Sequence, residues 1–312
     1  IDLTSGMVHF TDEETNRSYS RAGYTVIAAD GAGSAIRESM QRAGRFNFSQ
    51  EYLDHGYKEL HIPPNPDGTH KLEREALHIW PRRAFMLIAL PNPDGSFTCT
   101  LFLRHDGTPG FALLNTPEHI RAFFSEHFPD VLPLMPSMED DFFRNPVGSL
   151  GTIRCSPWHV GGTAALLGDA AHAIVPFYGQ GMNCAFEDCA VLNTCIGEFG
   201  DDWSRVFHAY QKRRKPNTDA IADLALENFV EMRDRVADNR FLFQKQVGLA
   251  LETHFPEHFI PVYSMVTFHR TPYAVAQQRG RIQQEILEDI TAGCERIEEI
   301  DFDAAGERIR SR

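Results

Sequence analysis

The sequence has few cysteines and no long hydrophobic run, and each shortage excludes a class of protein. Six cysteines are scattered among 312 residues without a Cys-x-x-Cys pair, a pattern typical of reduced intracellular thiols rather than of a disulfide framework. The longest clean apolar runs, such as residues 85–91, fall far short of the ~18 residues that a membrane-spanning helix needs. We therefore expect no transmembrane segment in this chain.

Positive charge is also in short supply. Thirty basic residues against 43 acidic ones give a formal net charge of −13, which repels phosphate backbones and anionic lipid and argues against a nucleic-acid or membrane-surface binder. His254 and His258 have the spacing of a metal site on a helix, but Pro256 lies between them and interrupts such a helix. We expect no metal.

The chain is long enough for two domains, and its patterns alternate between strands and helices. A β-rich stretch covers residues 56–104, and the pattern from residue 181 onward is helical. The predicted strands are 24–29, 56–62, 77–80, 85–90, 96–103, 148–155 and 164–167. The predicted helices are 35–42, 116–128, 181–197, 202–214, 217–237, 240–253 and 272–298, with a connector at 141–146.

The predicted strand 96–103 carries apolar side chains on both faces. One face holds Phe97, Cys99, Leu101 and Leu103, and the other holds Thr98, Thr100 and Phe102. The pattern fits two arrangements equally: a plain core sheet, or a sheet covered on one side that borders a pocket on the other.

A glycine-rich turn follows the first of these strands. Residues 24–29 lead into Asp30-Gly31-Ala32-Gly33-Ser34, and Ser34 is a good N-cap for the next helix. Glycines let backbone N–H groups approach a phosphate, and a helix N-terminus favours negative charge. A tight turn without a ligand has the same pattern, so this segment alone leaves both interpretations open.

Residues 166–188 are the most informative segment, with the sequence LLGDAAHAIVPFYGQGMNCAFED. A short strand ends at Gly168-Asp169, and a helix begins near Gly179 and Gly181. A carboxylate at a strand end can accept hydrogen bonds from polyol hydroxyls, and a glycine-flanked helix N-terminus can face a developing anion. The ribityl chain and ring of a flavin have this combination of properties.

These motifs resemble those of a known enzyme family. Gly168-Asp169-Ala170-Ala171-His172, followed by Pro176 and Gly179-x-Gly181, resembles the second flavin motif of the class A, p-hydroxybenzoate-hydroxylase-like flavoprotein monooxygenases. Asp30-Gly31 resembles their central Asp-Gly motif. Other stretches are similar to the branch of the family that hydroxylates L-kynurenine: HGYKELHIPP (55–64), LHIWPR (77–82), FMLIALPNPDGSFTCTLF (85–102), ALENFVEM (225–232) and IPVYSMVTF (260–268).

The resemblance implies an α/β (α+β) architecture with an incomplete FAD-binding Rossmann-like domain. That domain would comprise residues 1–45 and 151–200, a β-sheet substrate domain would be inserted at 46–150, and a helical region would follow at 201–312. The family begins with a strand–GxGxxG–helix, which this sequence lacks, so the N-terminal portion of the same enzyme is an expected partner. Residues 301–312 are charged where eukaryotic members carry a hydrophobic anchor, which favours a soluble, cytoplasmic enzyme without nucleic-acid or membrane partners.

Site residues are likewise implied by the resemblance, which assigns the chemistry to the flavin and none to a catalytic side chain. The cofactor residues are Asp169 at the ribityl chain, Gly181, Met182 and Asn183 at the ring, Asp30 and Gly31 near the pyrophosphate and the approach of NADPH, and Ala35 close to FAD. The substrate residues are the loop Pro176, Phe177 and Tyr178, the apolar pocket Leu77, Met86, Ile88, Leu90 and Phe102, Asn228 and Tyr263 toward the amino-acid end, and Met232.

The implied activity is hydroxylation of L-kynurenine to 3-hydroxykynurenine with FAD, NADPH and O₂, through a flavin hydroperoxide. Two alternatives stay open: a related hydroxylase acting on a phenolic acid, and an inactive fragment that needs its N-terminal portion.

Asn228 illustrates how a residue pattern and a family resemblance can point in different directions. It lies in the middle of an apolar helical stripe formed by Ile221, Leu224, Ala225, Met232 and Val236. The pattern alone favours an asparagine bonded to a neighbouring backbone group, because an unpaired buried amide is costly. The resemblance instead assigns Asn228 to the substrate.

Overall fold

The structure is a computed structural model that describes residues 1–235 and 238–311. Its strands are β1 (Met7–Thr11), β2 (Ser18–Ala22), β3 (Val26–Ala28), β4 (Asn47–Ile62), β5 (His78–Pro81), β6 (Met86–Pro91), β7 (Phe97–Arg104), β8 (Gly148–Ser156), β9 (His159–Val160) and β10 (Ala164–Leu166). Its α-helices are α1 (Ala35–Ala43), α2 (Pro117–His127), α3 (Met138–Arg144), α4 (Asp169–His172), α5 (Gly181–Phe199), α6 (Trp203–Asp234), α7 (Asn239–His254), α8 (Val262–Thr267), α9 (Tyr273–Thr291) and α10 (Phe302–Ser311). Val236, the last residue of the predicted stripe, lies outside the described residues.

The described chain divides into two compact units. The first comprises residues 1–51, 151–228 and 246–312, and the second comprises 52–150 and 229–245. The helices that follow residue 201 are shared between the two units. The mixed helix-and-sheet class predicted from the sequence is confirmed, whereas the functional names of the segments stay a prediction.

In the first unit, a three-stranded sheet has the order β3-β10-β9. Strands β3 and β10 are parallel, with Val26 opposite Ala164 and Ala28 opposite Leu166. Parallel strands end at the same edge of a sheet, so the segments that follow them come together there. This pairing therefore puts the Asp-Gly and Gly-Asp motifs at one edge, although they are far apart in sequence. A hydrophobic core in this unit includes the buried side chains of Trp158, Phe207 and Tyr210.

The five-stranded sheet has the order β5-β6-β7-β4-β8. On β7, the face that carries Phe97, Cys99 and Leu101 packs into a core with Phe124 and Phe128 near α2. The sequence did not distinguish the two faces of this strand; the structure buries the face with Phe97, Cys99 and Leu101, and Phe102 on the other face is buried as well. The hydrophobic effect drives this burial, because apolar surface leaves water.

Helix α6 differs from the two helices predicted at 202–214 and 217–237, because it continues through Pro216. Proline cannot donate the backbone hydrogen bond expected at its position. Here the Asn217 Nδ2 donates to the Arg213 carbonyl at 3.1 Å, and the Thr218 hydroxyl donates to the Lys215 carbonyl at 3.1 Å. Neither bond reaches the Lys212 carbonyl, which is the i−4 acceptor that Pro216 leaves without a backbone donor.

Other elements also differ from the prediction. The expected connector at 141–146 lies mostly in α3, because Met138 and Phe142 are buried in the core of the second unit. Helix α9 ends at Thr291 rather than 298, where Gly293 adopts a φ of +78° that favours glycine. Short helix α8 was not predicted. Within the described ranges, we find no helix both long enough and apolar enough to cross a bilayer.

Candidate cofactor site

The Gly168-Asp169 turn begins where β10 ends. Gly168 has φ +61° and ψ −140°, and a Cβ atom there would come within 3.3 Å of the Ala185 Cβ, so glycine is strongly favoured. Its N–H donates to the Asp188 Oδ2 at 3.1 Å. Asp169 opens α4 and is exposed, and its carboxylate has no hydrogen-bond partner among residues 1–235 and 238–311. An exposed carboxylate can accept hydrogen bonds from the hydroxyl groups of a ligand.

Arg37 links the two predicted flavin motifs directly. Its side chain is buried, and its Nη1 donates to the Ala170 carbonyl at 2.8 Å while its Nη2 donates to the Ala32 carbonyl at 2.5 Å. The Phe48 ring lies 5.1 Å from the guanidinium carbon. The sequence carries no signal for this contact, because the partner carbonyl is 133 residues away. Arg37 therefore holds the turn after β3 against the turn after β10.

The first turn of α1 is capped by its own chain. As predicted, Ser34 is the N-cap, and its Oγ accepts from the Arg37 N–H at 2.9 Å. The Asp30 Oδ2 accepts from the Ile36 N–H at 3.2 Å, so this carboxylate stabilises the helix start. A Cβ atom at Gly31 or Gly33 would meet nothing within 4 Å. The glycine-rich turn consequently borders open space, as does exposed Ala35.

The N-terminus of α5 offers backbone donors. The N–H groups of Gly181, Met182 and Asn183 have no protein acceptor in the described part of the chain. Gln180 is buried, and its Oε1 accepts from the Asn183 Nδ2 at 3.1 Å and from the Tyr273 hydroxyl at 2.9 Å. Because α5 has 19 residues, its aligned peptide dipoles favour negative charge beside those three N–H groups.

A buried ionic network supports the Gly168-Asp169 turn from within. The His172 Nε2 lies 2.6 Å from the Asp188 Oδ2, and the Arg214 Nε donates to the Asp188 Oδ1 at 2.6 Å. The Arg214 Nη1 also pairs with the Glu187 Oε2 at 2.6 Å. Asp188 and Arg214 are almost completely buried, so the carboxylate of Asp188 bonds to the turn, to α4 and to α6 at once.

The network also gives a role to the basic run 212–215, which the helix predicted at 202–214 would put at a helix C-terminus. Helix α6 continues beyond the run. Arg214 is instead the buried partner of Asp188, and Arg213 pairs with Glu198 at 2.6 Å. A helical pattern cannot reveal which of two adjacent arginines faces inward when its partner lies on another helix.

The protonation of the network follows from its geometry. Burial by itself lowers the pKa of His172, but the hydrogen bond and the negative charge of Asp188 outweigh burial and raise that pKa to about 9. Burial acts to raise the pKa of Asp188, and hydrogen bonds and charges from His172 and Arg214 hold it below its usual range. His172 is therefore cationic and Asp188 anionic at neutral pH.

We expect the free energy of unfolding to fall as the pH rises from about 6.5 through about 9. The folded protein holds the His172 proton more tightly than the unfolded chain does. The resulting stability is therefore complete below the ordinary pKa of 6.5 and lost as His172 deprotonates. Urea denaturation at a series of pH values measures this slope, and His172→Gln should flatten it.

His119→Gln is the matched control, because His119 is exposed on α2. It should leave the pH slope of the wild-type protein unchanged. A slope that is the same in His172→Gln and in the wild-type protein would contradict the assignment of the slope to His172.

The loop Pro176–Tyr178 is held by two of the predicted substrate residues. The Asn228 Nδ2 donates to the Phe177 carbonyl at 2.7 Å, and Asn228 is buried. The rings of Tyr178 and Tyr263 are stacked with centroids 5.7 Å apart. The backbone bond expected of Asn228 from the stripe alone is thus present. A role of Asn228 in substrate binding stays a prediction. The structure indicates that such a role would be indirect, because Asn228 bonds to the loop Pro176–Tyr178.

The predicted apolar pocket residues of the second unit share one sheet face. Met86 lies opposite Phe102, and Ile88 and Leu90 lie opposite threonines of β7. Burial decreases along β6, since Met86 is fully buried whereas Leu90 is 45% exposed. The remaining pocket member, Leu77, is exposed, and the further substrate residue Met232 is buried in the last turns of α6. Their role in binding a substrate stays a prediction.

The comparisons with known proteins agree with this geometry. Residues 4–225 match the family described as FAD binding domain. The chain is 49% identical over its whole length to a kynurenine 3-monooxygenase of Myxococcus xanthus, of which it covers 67%. It is 46% identical over its whole length to that of Flavobacterium psychrophilum, covering 69%, and 48% identical over 92% of its length to that of Dictyostelium discoideum, covering 65%. The chain therefore spans about two thirds of the length of these relatives.

Solved structures show the same fold at lower identity. The tetrameric form of 2-methyl-3-hydroxypyridine-5-carboxylic acid oxygenase aligns with a TM-score of 0.57 and 22% identity, over 72% of this chain and 57% of that one. A Klebsiella pneumoniae HpxO variant complexed with FAD aligns with a TM-score of 0.59 and 21% identity, over 76% and 58%. The chain belongs to the FAD-binding-domain family of class A flavoprotein monooxygenases, in the group of the kynurenine 3-monooxygenases.

Proposed function

We propose that the chain forms the larger part of an enzyme that hydroxylates L-kynurenine to 3-hydroxykynurenine with FAD, NADPH and O₂. The observation that carries this proposal is the parallel pairing of β3 with β10, which puts Asp30-Gly31 and Gly168-Asp169 at one sheet edge. Relatives named kynurenine 3-monooxygenase, 45–49% identical over the whole chain, support the substrate.

The residues at that edge fit FAD. The Asp169 carboxylate would accept hydrogen bonds from the ribityl hydroxyls, and the N–H groups of Gly181, Met182 and Asn183 would face the ring. The open space beside Gly31 leaves room for the pyrophosphate and for the approach of NADPH. The Asp30 carboxylate supports this turn by capping α1.

Bound FAD supplies the redox chemistry by which O₂ is activated, and the chain's own residues position the substrate and exclude water. The aniline nitrogen of kynurenine already activates the neighbouring ring carbon, so no side-chain base is required. Asn228 would hold the loop Pro176–Tyr178 in place beside the substrate. Tyr263 would help to bind the amino-acid end.

We also propose that a segment with a strand–GxGxxG–helix completes the FAD site, either in the same chain or as another chain. The relatives are longer than this chain by about half of its length. In the first unit, β3 is an edge strand of its sheet, and its Ile27 is 42% exposed. An added strand at this edge would cover Ile27. The acidic composition and the buried thiols of Cys99, Cys155 and Cys184 support a cytoplasmic location.

Asp169→Ala in the full-length protein should weaken FAD binding by about tenfold or more. Hydrogen bonds to a charged group contribute roughly 1.5–3 kcal/mol, and 1.4 kcal/mol corresponds to a factor of ten. The dissociation constant can be measured by adding FAD to the apoprotein and following the quenching of flavin fluorescence.

Asp201→Ala is the matched control, because Asp201 is an exposed aspartate in the turn after α5. It should retain wild-type affinity for FAD. Equal affinities of the wild-type, Asp169→Ala and Asp201→Ala proteins would mean that Asp169 does not contact the cofactor.

The substrate proposal is tested by the rate of NADPH oxidation in the full-length, FAD-loaded protein. L-kynurenine should stimulate this rate, and p-hydroxybenzoate and salicylate should not. Stimulation by a phenolic acid without any by kynurenine would favour the alternative of a phenol hydroxylase.

A further inference from the structure

The C-terminal part of the first unit contains a cleft of about 280 Å³ that the proposed function does not use. One wall is a single face of α9, because Arg279, Ile282, Gln283 and Ile286 follow the i, i+3, i+4, i+7 spacing of a helix. Other walls come from the turn after α7 and from α10. The volume is near the lower end of the range for small-molecule sites.

Part of the cleft lining is apolar, although polar groups make up more of its accessible surface. Phe259, Ile286 and Ile309 line the cleft and are themselves buried, and half-buried Ile282 lies beside them. These side chains expose a small apolar area, on which part of the hydrocarbon portion of a small molecule would lose contact with water.

Positive charge lies at the rim. Arg279 and Arg310 line the cleft, are exposed, and form no ion pair with any described residue. The neighbouring Arg308 differs, because its Nη1 pairs with the Asp289 Oδ2 at 3.1 Å. Two guanidinium groups without carboxylate partners are suited to an anion, and to a carboxylate in particular.

The side-chain amide of Gln283 has a hydrogen-bond acceptor, Oε1, that no donor satisfies among the described residues. The residue lines the cleft and is only 9% exposed, and its Oε1 has no hydrogen-bond partner among the described residues. A buried acceptor without a donor is unfavourable. A turn of the terminal amide toward the cleft would let a ligand N–H group satisfy it. Exposed Glu257 adds a negative charge to the same cleft.

We propose that this cleft binds a small zwitterionic amino acid with an apolar or aromatic side chain. Its carboxylate would pair with Arg279 and Arg310, its ammonium group would donate to the Gln283 Oε1 beside Glu257, and its side chain would lie on the apolar surface. None of these residues is among those assigned to FAD or kynurenine. The proposal therefore does not depend on the proposed function.

The binding test uses L-phenylalanine as the probe and isoleucine methyl NMR of the full-length protein as the site-specific readout. Signals of Ile282, Ile286 and Ile309 are assigned by single Ile→Val variants. L-phenylalanine should shift these signals in a saturable manner below about 10 mM, in the range of weak metabolite sites. Phenethylamine, which lacks the carboxylate, and 3-phenylpropionate, which lacks the ammonium group, should bind at least tenfold more weakly.

Variants separate recognition in the cleft from nonspecific binding. Arg279→Gln and Gln283→Leu should each weaken binding about tenfold, and Gln283→Leu should raise the melting temperature of the ligand-free protein because it removes the unsatisfied acceptor. Arg281→Gln changes an exposed arginine on the same helix that does not line the cleft, and should bind as the wild type does. The proposal is overturned if these methyl signals do not shift, if 3-phenylpropionate binds as tightly as L-phenylalanine, or if all three variants bind alike.

Discussion

Asp188→Ala should lower the free energy of unfolding by about 3–5 kcal/mol, the usual effect of removing one partner from a buried ion pair. The substitution leaves the Arg214 guanidinium buried without its carboxylate and removes the acceptor of the His172 ring and of the Gly168 N–H. Because the same carboxylate holds the turn before Asp169, the affinity for FAD should fall as well. Chemical denaturation measures the first effect, and flavin fluorescence measures the second.

Two further variants make this result interpretable. Glu198→Ala removes the partner of Arg213 in a pair that is about 40% exposed on both sides, and it should change the stability little because solvent screens such pairs. Asp188→Asn keeps the shape and one acceptor oxygen while it removes the charge, so it should fall between the wild-type protein and Asp188→Ala. Equal stabilities of Asp188→Ala and Glu198→Ala would contradict the account of the network.

Asn228→Ala should both destabilise the protein and raise the KM for kynurenine by about tenfold. The alanine removes the donor at 2.7 Å from the Phe177 carbonyl, and the loss of a hydrogen bond costs about 0.5–1.5 kcal/mol. The loop Pro176–Tyr178 then loses a contact that fixes its position. A tenfold change in KM corresponds to about 1.4 kcal/mol of binding. Thermal unfolding and steady-state kinetics of the full-length enzyme measure the two effects.

Asn193→Ala is the matched control, since Asn193 is exposed on α5 and should change neither quantity. A lower melting temperature with an unchanged KM would show that Asn228 stabilises the fold without acting on the substrate. A higher KM at unchanged stability would instead indicate that the bond to Phe177 contributes little.

The local elements of the fold could be predicted because their signals are local. The apolar alternation at 96–103 identified strand β7, and the glycine-rich turn with Ser34 identified the start of α1. The path of α6 through Pro216 was missed, because this part of the helix is held by tertiary contacts, such as the bond of Arg214 to Asp188, that the sequence does not reveal. Turn propensity alone favours a break at proline.

The motifs of the candidate site could be predicted from the sequence. The side chains that hold these motifs in place could not. Asp169 and Gly181 follow from a strand end and a helix start that are both visible in the sequence. Arg37 and Arg214 escaped prediction because each bonds to a partner that is distant along the chain. An arginine on an amphipathic helix is usually solvated, and a single sequence cannot identify the exception. Asn228 was placed correctly in its stripe, but its partner, the Phe177 carbonyl, required the structure.

The most direct test of the central claim follows the oxygen atom. The full-length, FAD-loaded protein would be incubated with NADPH and L-kynurenine under ¹⁸O₂, and the products analysed by mass spectrometry. The account predicts 3-hydroxykynurenine that carries one ¹⁸O atom, formed at a lower rate by Asp169→Ala when FAD is limiting. Two results would contradict the account. In the first, the protein binds flavin and NADPH is consumed, but the kynurenine stays unchanged. In the second, the hydroxylated product carries an oxygen atom that comes from water.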